Sequence, residues 1–284
     1  MTFSSHGTSL IVRFLGFSHV VIAIGAGVST IVALNVIGLN DRVWHIAAFI
    51  SSCTGLGYSV QRLVKAKLSP SSVQRGRLEF LQKFGGRLVF IWSCVWFVGF
   101  SWVVEELDFV AWLVLLGLGV AGLCYAILPG PLSRWARSVR EVPGMKLPVL
   151  SVVWGCATVV VPLLMLGKWG SVEPGMLWGV VSARVLYIAG LTIPFDVRDL
   201  NVDGEDMRTV PMVWGVVNSL WWACILALIA GGVWAYLGEI PLACHAIATA
   251  LLVSPKIYKP YRSEWYYSLV LDGMLIAQAF VLCY

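Results

Sequence analysis

Residues 193–203 read Ile193-Pro194-Phe195-Asp196-Val197-Arg198-Asp199-Leu200-Asn201-Val202-Asp203, directly after a long apolar run. Three of the chain's 15 Asp and Glu thus fall between positions 196 and 203. Spaced three and then four residues apart, Asp196, Asp199 and Asp203 share one face if the helix continues through them. Like charges on one face repel, and a helix C-terminus disfavours anions. This face therefore calls for a compensating cation. Mg²⁺ suits carboxylate oxygens and bridges them to phosphate groups; the plain alternative is an ordinary hydrated loop.

The surroundings of this stretch are those of a membrane. Of 284 residues, 59% are hydrophobic and 12% charged, with 14 Trp and a mean hydropathy of +0.84. Soluble domains carry about 25% charged residues. Half that charge, with abundant Trp, indicates an integral membrane protein with aromatic residues near its interfaces. Cys53, Cys94, Cys124, Cys156, Cys224, Cys244 and Cys283 are scattered through apolar segments without a CxxC pair. They read as small core residues, with neither a disulfide framework nor a metal site.

Runs of roughly 20 apolar residues give nine spans, near 14–39, 44–65, 84–105, 109–128, 147–166, 175–195, 212–237, 240–254 and 265–284. The eighth is short for a full crossing. The first follows MTFSSHGTSLIVR, which lacks a small-residue cleavage site, so it is expected to be retained. No Gly/Ser linker or low-complexity tract divides the chain, and one domain over 1–284 is expected. All of the Lys and Arg except Arg42, Lys168 and Arg184 fall on the side of the N-terminus. By the positive-inside rule the N-terminus is cytoplasmic and the C-terminus lies opposite, as in a bacterial inner-membrane protein. The net charge of +5 is accounted for by lipid head groups and insertion, with no nucleic acid.

This plan places the opening stretch at the cytoplasmic end of the sixth span. Asp196, Asp199 and Asp203, followed by Arg208, Thr209 and Pro211 before the next apolar run, resemble the second aspartate-rich motif of the UbiA superfamily of membrane prenyltransferases. The resemblance implies an all-α, UbiA-like bundle of nine transmembrane helices with aspartate motifs after helices 2 and 6. Lys146, just before the fifth span, is similar to a family lysine that helps hold the diphosphate. By this likeness Asp196, Asp199 and Asp203 would bind Mg²⁺ and, with Lys146, act in catalysis.

The first motif departs from the family pattern of NxxxDxxxD. Here Gly57 stands for the Asn, Gln61 for the first Asp and Lys65 for the second. An amide is a poor Mg²⁺ ligand and an ammonium repels the ion, so a metal cluster shared by two acidic motifs cannot form. Two arrangements stay open. Lys65, with Arg62 and Lys67, could replace the missing metal as a point charge on phosphate. Alternatively, a direct Lys65–Asp pair could close the site, leaving a non-catalytic membrane subunit or a binder of prenyl lipid, quinone or pigment.

If active, the protein would transfer a prenyl group from its diphosphate to a lipophilic acceptor through a carbocation sheltered by aromatic faces. Tyr58, Tyr125, Trp154 and Tyr187 are the expected wall residues. Gln61, Arg62, Lys65 and Arg208 join the substrate-binding set, and Asp272 borders the cavity. Arg184 and Asp272 are costly to leave unpaired inside a bilayer, which predicts an ion pair between them. His19 is expected to hydrogen-bond within the bundle. His45 and His245 show no metal-site spacing.

Overall fold

In hydrocarbon every backbone N–H must find its partner within its own segment, which makes each apolar run a helix. The computed structural model describes residues 10–41, 43–68, 70, 73, 75–126, 139, 142–204, 207–258 and 266–283, the side chains of 10–13, 126 and 281–283 excepted. Among these residues twelve α-helices follow in order: α1 (Leu10–Phe17), α2 (Val20–Val36), α3 (Val43–Leu68), α4 (Arg75–Val103), α5 (Phe109–Ala126), α6 (Lys146–Gly155), α7 (Val161–Met165), α8 (Pro174–Asp199), α9 (Val210–Trp214), α10 (Val216–Tyr236), α11 (Ile240–Val253) and α12 (Asp272–Ala277). No strand occurs among the described residues. The fold is an all-α bundle of membrane-type helices.

The apolar runs of the sequence return as rods, some of them interrupted. A π-helical turn at Cys156–Val160 joins α6 to α7, and another at Tyr266–Leu271 leads into α12. Among the described residues four rods are long and apolar enough to cross a membrane: Arg75–Glu106, Lys146–Met165, Pro174–Asp199 and Val216–Tyr236. Val20–Val36, Phe109–Tyr125 and Ile240–Val253 are apolar but shorter.

The first run breaks between α1 and α2. His19 there has φ 64°, a left-handed conformation rare outside glycine. Three contacts hold it: its Nδ1 lies 3.1 Å from Ser59 Oγ, its ring lies beside Tyr58, and the Trp92 indole donates to the Ser18 carbonyl at 2.9 Å.

The helices meet through small residues, as expected where lipid offers as much apolar contact as protein does. Along the α8–α10 contact, a Cβ on Gly190 would sit 2.8 Å from the Ala223 carbonyl oxygen and 3.2 Å from the Ala227 nitrogen. Both neighbours are backbone and cannot swing aside. Gly190→Ala is expected to cost about 1–3 kcal/mol by overpacking, and Gly190→Leu more. Thermal unfolding in detergent should show both losses in that order; an unchanged melting temperature for Gly190→Leu would refute the close approach.

At the far end of α8, Glu173 caps the helix, accepting hydrogen bonds from the N–H groups of Gly175 (2.9 Å) and Met176 (2.7 Å). Those donors stabilise the carboxylate and pull its pKa below the usual value. The other end of α8 carries the acidic stretch.

Candidate functional site

Pro194 lies inside α8, two residues before Asp196. Proline has no N–H to give, so the carbonyl four residues earlier loses its helical partner. The helix nevertheless continues to Asp199 and stops there. Beyond it, the N–H groups of Val202 and Asp203 both return to the Asp199 carbonyl at 2.9 Å. Asp203 is therefore past the helix end, held in a turn on the side of Asp196 and Asp199. This loop docks on the segment ahead of α6, where the Gly144 N–H donates to the Met207 carbonyl at 3.2 Å. Lys146, at the start of α6, is thereby delivered to the acidic stretch.

Lys146 Nζ lies 2.7 Å from Asp196 Oδ1 and 2.6 Å from Asp203 Oδ2. The side chains of both aspartates are 1% exposed. Asp203 is also 3.8 Å from Lys65 Nζ, an ion pair too long for a hydrogen bond. Asp199 turns to its own neighbour: Arg198 Nε and Nη2 reach its two carboxylate oxygens at 2.8 and 3.1 Å. The Arg198 guanidinium lies over the rings of Phe195 (5.2 Å) and Tyr267 (5.1 Å), a cation–π setting that fixes its plane. A buried tyrosine group braces Tyr267 from behind. The Tyr258 and Tyr267 hydroxyls share a hydrogen bond, Tyr258 also donates to the Pro194 carbonyl at 3.4 Å, and Tyr266 donates to the Leu252 carbonyl at 3.1 Å.

These groups border a polar pocket of about 150 Å³. Asp196, Arg198 and Asp199 of α8, Lys146 of α6, Gln61, Arg62 and Lys65 of α3 and Arg77 of α4 all line it. Tyr58, Tyr125, His19 and Asp272 also line it, beside apolar side chains such as Ile188, Leu191 and Leu275. A second cavity of about 850 Å³ lies between α3, α5 and α6–α7, lined almost wholly by apolar side chains. Tyr58, Gln61, Tyr125, Leu150 and Trp154 line both. The two spaces thus share a wall of three aromatic side chains, a leucine and an amide. Gln61 donates to the Gly122 carbonyl of α5 at 3.0 Å, so it ties that wall together.

Most of the residues singled out in the sequence converge here. Asp203 sits behind Lys65 and Lys146, touching both but not lining the pocket. Arg208 is exposed in a left-handed conformation, φ 44°, and does not line the pocket. Lys67 is exposed, two positions past Lys65 on α3. Tyr187 is not a wall residue: its hydroxyl is buried against Thr249 Oγ1 at 3.0 Å. The expected Arg184–Asp272 pair does not form. Arg184 donates to Gln278 Oε1 at 2.6 Å and to the Ser29 carbonyl at 2.9 Å, while Asp272 lines the polar pocket.

The acidic trio also differs from a metal site. Among the described residues no group of three His, Cys, Asp or Glu converges to hold an ion. Lys146 occupies the position between Asp196 and Asp203 that a bridging cation would need, and Arg198 occupies both oxygens of Asp199. The side chains present do not fit a carboxylate-held Mg²⁺.

Sequence reading passed over Arg198 and Arg77, and expected of His19 only a hydrogen bond within the bundle, which it makes to Ser59 at 3.1 Å. Arg198 carried a signal, since a cation placed between Asp196 and Asp199 is their nearest counter-charge. Arg77 and His19 carried none: each reaches the pocket through the packing of α4 and of the α1–α2 break.

No family model matches the sequence, and no curated protein matches it. The structure is similar over nearly its whole length to a UbiA homologue from Archaeoglobus fulgidus bound to GPP and Mg²⁺, with a TM-score of 0.54, 15% identity, and 96% of this chain and 98% of that one covered. A second structure of a UbiA homologue from the same organism, bound to DMAPP and Mg²⁺, matches with a TM-score of 0.52, 17% identity and 96% of each chain covered. The fold of this chain is the UbiA fold.

Proposed function

We propose that this membrane protein is a divergent member of the UbiA superfamily that binds a prenyl diphosphate, with the diphosphate in the polar pocket and the chain in the apolar cavity, and transfers the prenyl group to a lipophilic acceptor. One observation carries this reading: a pocket lined by five basic side chains and a large apolar cavity share a single wall. An amphiphile with an anionic head and a hydrocarbon tail matches both halves. The larger space, about 850 Å³, falls within the roughly 300–1,000 Å³ of small-molecule sites. The matching of the fold to homologues bound to GPP and DMAPP supports the same ligand class.

The roles follow from position. Lys65, Arg62, Lys146 and Arg198 would balance the charge that grows on the diphosphate as the C1–O bond breaks and both electrons leave with oxygen. At the shared wall, Tyr58, Tyr125 and Trp154 would face the allylic cation, whose charge aromatic faces stabilise. A nucleophilic atom of the acceptor then bonds to C1 and loses its proton. The Trp154 indole lies 3.4 Å from the Tyr58 hydroxyl, which holds these two rings in register. The positive-inside bias supports a cytoplasmic location for the pocket, where soluble diphosphates are available.

The test is equilibrium binding of radiolabelled geranyl diphosphate to purified protein, followed by detection of inorganic pyrophosphate once a lipophilic aromatic acceptor is added. Saturable binding competed by unlabelled inorganic pyrophosphate is expected. Absence of any saturable binding would remove the reading altogether. Binding without pyrophosphate release across a panel of acceptors would reduce it to a prenyl-lipid binder.

A further inference from the structure

We infer that this site takes a diphosphate headgroup without a divalent cation, its own basic side chains standing where metal ions would otherwise neutralise the phosphates. The inference rests on the diphosphate reading above and concerns only how the headgroup is held. The end of α3 offers the pocket Gln61, Arg62 and Lys65, and no carboxylate. Lys65 makes the direct Lys65–Asp contact that the sequence left open, with Asp203 at 3.8 Å, and still lines the pocket. On the facing side Lys146 sits within 2.7 Å of two buried carboxylates, and Arg198 holds the third through both of its oxygens. Mg²⁺ demands about six oxygens in octahedral array at 2.0–2.1 Å. To enter, it would have to displace an ammonium already at ion-pair distance from two carboxylates and would then lie beside it as a like charge. The geometry assigns the position to Lys146.

Charge balance agrees. Arg62, Lys65, Arg77, Lys146 and Arg198 line the pocket, while the carboxylates lining or touching it are Asp196, Asp199, Asp203 and Asp272. Among the described residues these five cations outnumber the four anions before any ligand arrives. An all-carboxylate site would repel a diphosphate until metal ions intervened; this one attracts it directly. Guanidinium and ammonium groups recognise phosphate through charge-assisted hydrogen bonds, Arg in bidentate fashion and Lys as a point charge. With Asp196, Asp199 and Asp203 already engaged, their role is to orient Lys146 and Arg198.

The experiment is calorimetric titration of the purified protein with inorganic pyrophosphate and with geranyl diphosphate, each in excess EDTA and in excess Mg²⁺. Wild type is expected to bind both in EDTA, with affinity equal to or higher than that in Mg²⁺, which complexes free diphosphate. Lys65→Gln is expected to weaken binding in EDTA by about tenfold or more, the size of one charge-assisted hydrogen bond. Because Gln keeps much of the length and the polarity of the Lys65 side chain, this variant should fold, which a matching melting temperature would show. Lys65→Asp should abolish binding in EDTA and restore a part of it in Mg²⁺. Binding by wild type in Mg²⁺ but not in EDTA would overturn the inference and leave the diphosphate reading standing. Binding in neither condition would overturn both.

Discussion

Lys146→Met should cost about 3–5 kcal/mol of stability, enough to prevent most of the protein from accumulating in folded form. The side chain it removes is the ion-pair partner of Asp196 Oδ1 at 2.7 Å and of Asp203 Oδ2 at 2.6 Å, in a place where these carboxylates are 1% exposed. Removing one member of a buried pair leaves a charge that neither water nor protein compensates, and that penalty is several kcal/mol. The two aspartates suffer unequally. Asp203 keeps Lys65 at 3.8 Å, whereas Asp196 has no second ion pair among the described residues. Asp196→Asn in the Lys146→Met background is therefore expected to recover more than half of the loss, and Asp203→Asn less. Thermal unfolding in detergent of the single and double variants forms the cycle that reads this coupling. A Lys146→Met protein that melts within a degree or two of wild type would show that the ion triad is hydrated, and not sealed.

The second large effect concerns the wall between the two spaces. Leu150 lies on α6, half-buried, and lines both the polar pocket and the apolar cavity. Leu150→Trp puts a bulky ring across the route from head to tail while leaving every charged group in place. Inorganic pyrophosphate, which needs only the polar pocket, should bind within about twofold of wild type. Geranyl diphosphate should lose the burial of several carbons at about 0.8 kcal/mol each, so four excluded carbons correspond to roughly 3 kcal/mol, or more than 100-fold in affinity. Parallel titrations of the two ligands separate the two halves of the site. Equal losses for both would mean that the substitution distorts the bundle, and equal retention would mean that the tail lies elsewhere.

Much of this architecture can be read from the chain because hydrocarbon imposes so strict a rule on it. The apolar runs near 44–65, 109–128, 175–195 and 240–254 return as α3, α5, α8 and α11, since a helix is the one secondary structure that satisfies a lone apolar run. The interruptions were not legible. Nothing in Cys156–Val160 marks it as a π-turn, and His19 takes its left-handed backbone from contacts with Ser59 and Trp92's hold on Ser18, all distant in sequence. The site divides in the same way. The spacing of Asp196, Asp199 and Asp203 announced a common face, and likeness to a known motif added Lys146. That the cations would already hold the carboxylates depends on side-chain reach, which spacing does not contain.

The Arg184–Asp272 expectation failed for a reason of depth. The Gln278 that Arg184 reaches lies six residues past Asp272, about 9 Å along a helix, while Asp272 lines the polar pocket. The buried guanidinium finds an amide and a backbone carbonyl at its own level instead. Pairing intramembrane charges by sign alone overlooked their separation along the membrane normal.

The apolar cavity opens sideways. Among the residues that line it, Leu113 is 52% exposed, Leu116 65%, Val120 51% and Leu123 56%, all on the outer surface of α5. In a bilayer that surface meets acyl chains, so under the proposed function a prenyl tail or a lipophilic acceptor would enter from the lipid phase and not from water. The relevant concentration is then a mole fraction in the membrane. Diluting the protein with more lipid at a constant amount of acceptor would slow the reaction, even though nothing in the aqueous phase had changed. Detergent tails are drawn from the same phase and would behave as competitive inhibitors, and a short-chain detergent small enough to fill the cavity would be the strongest of them.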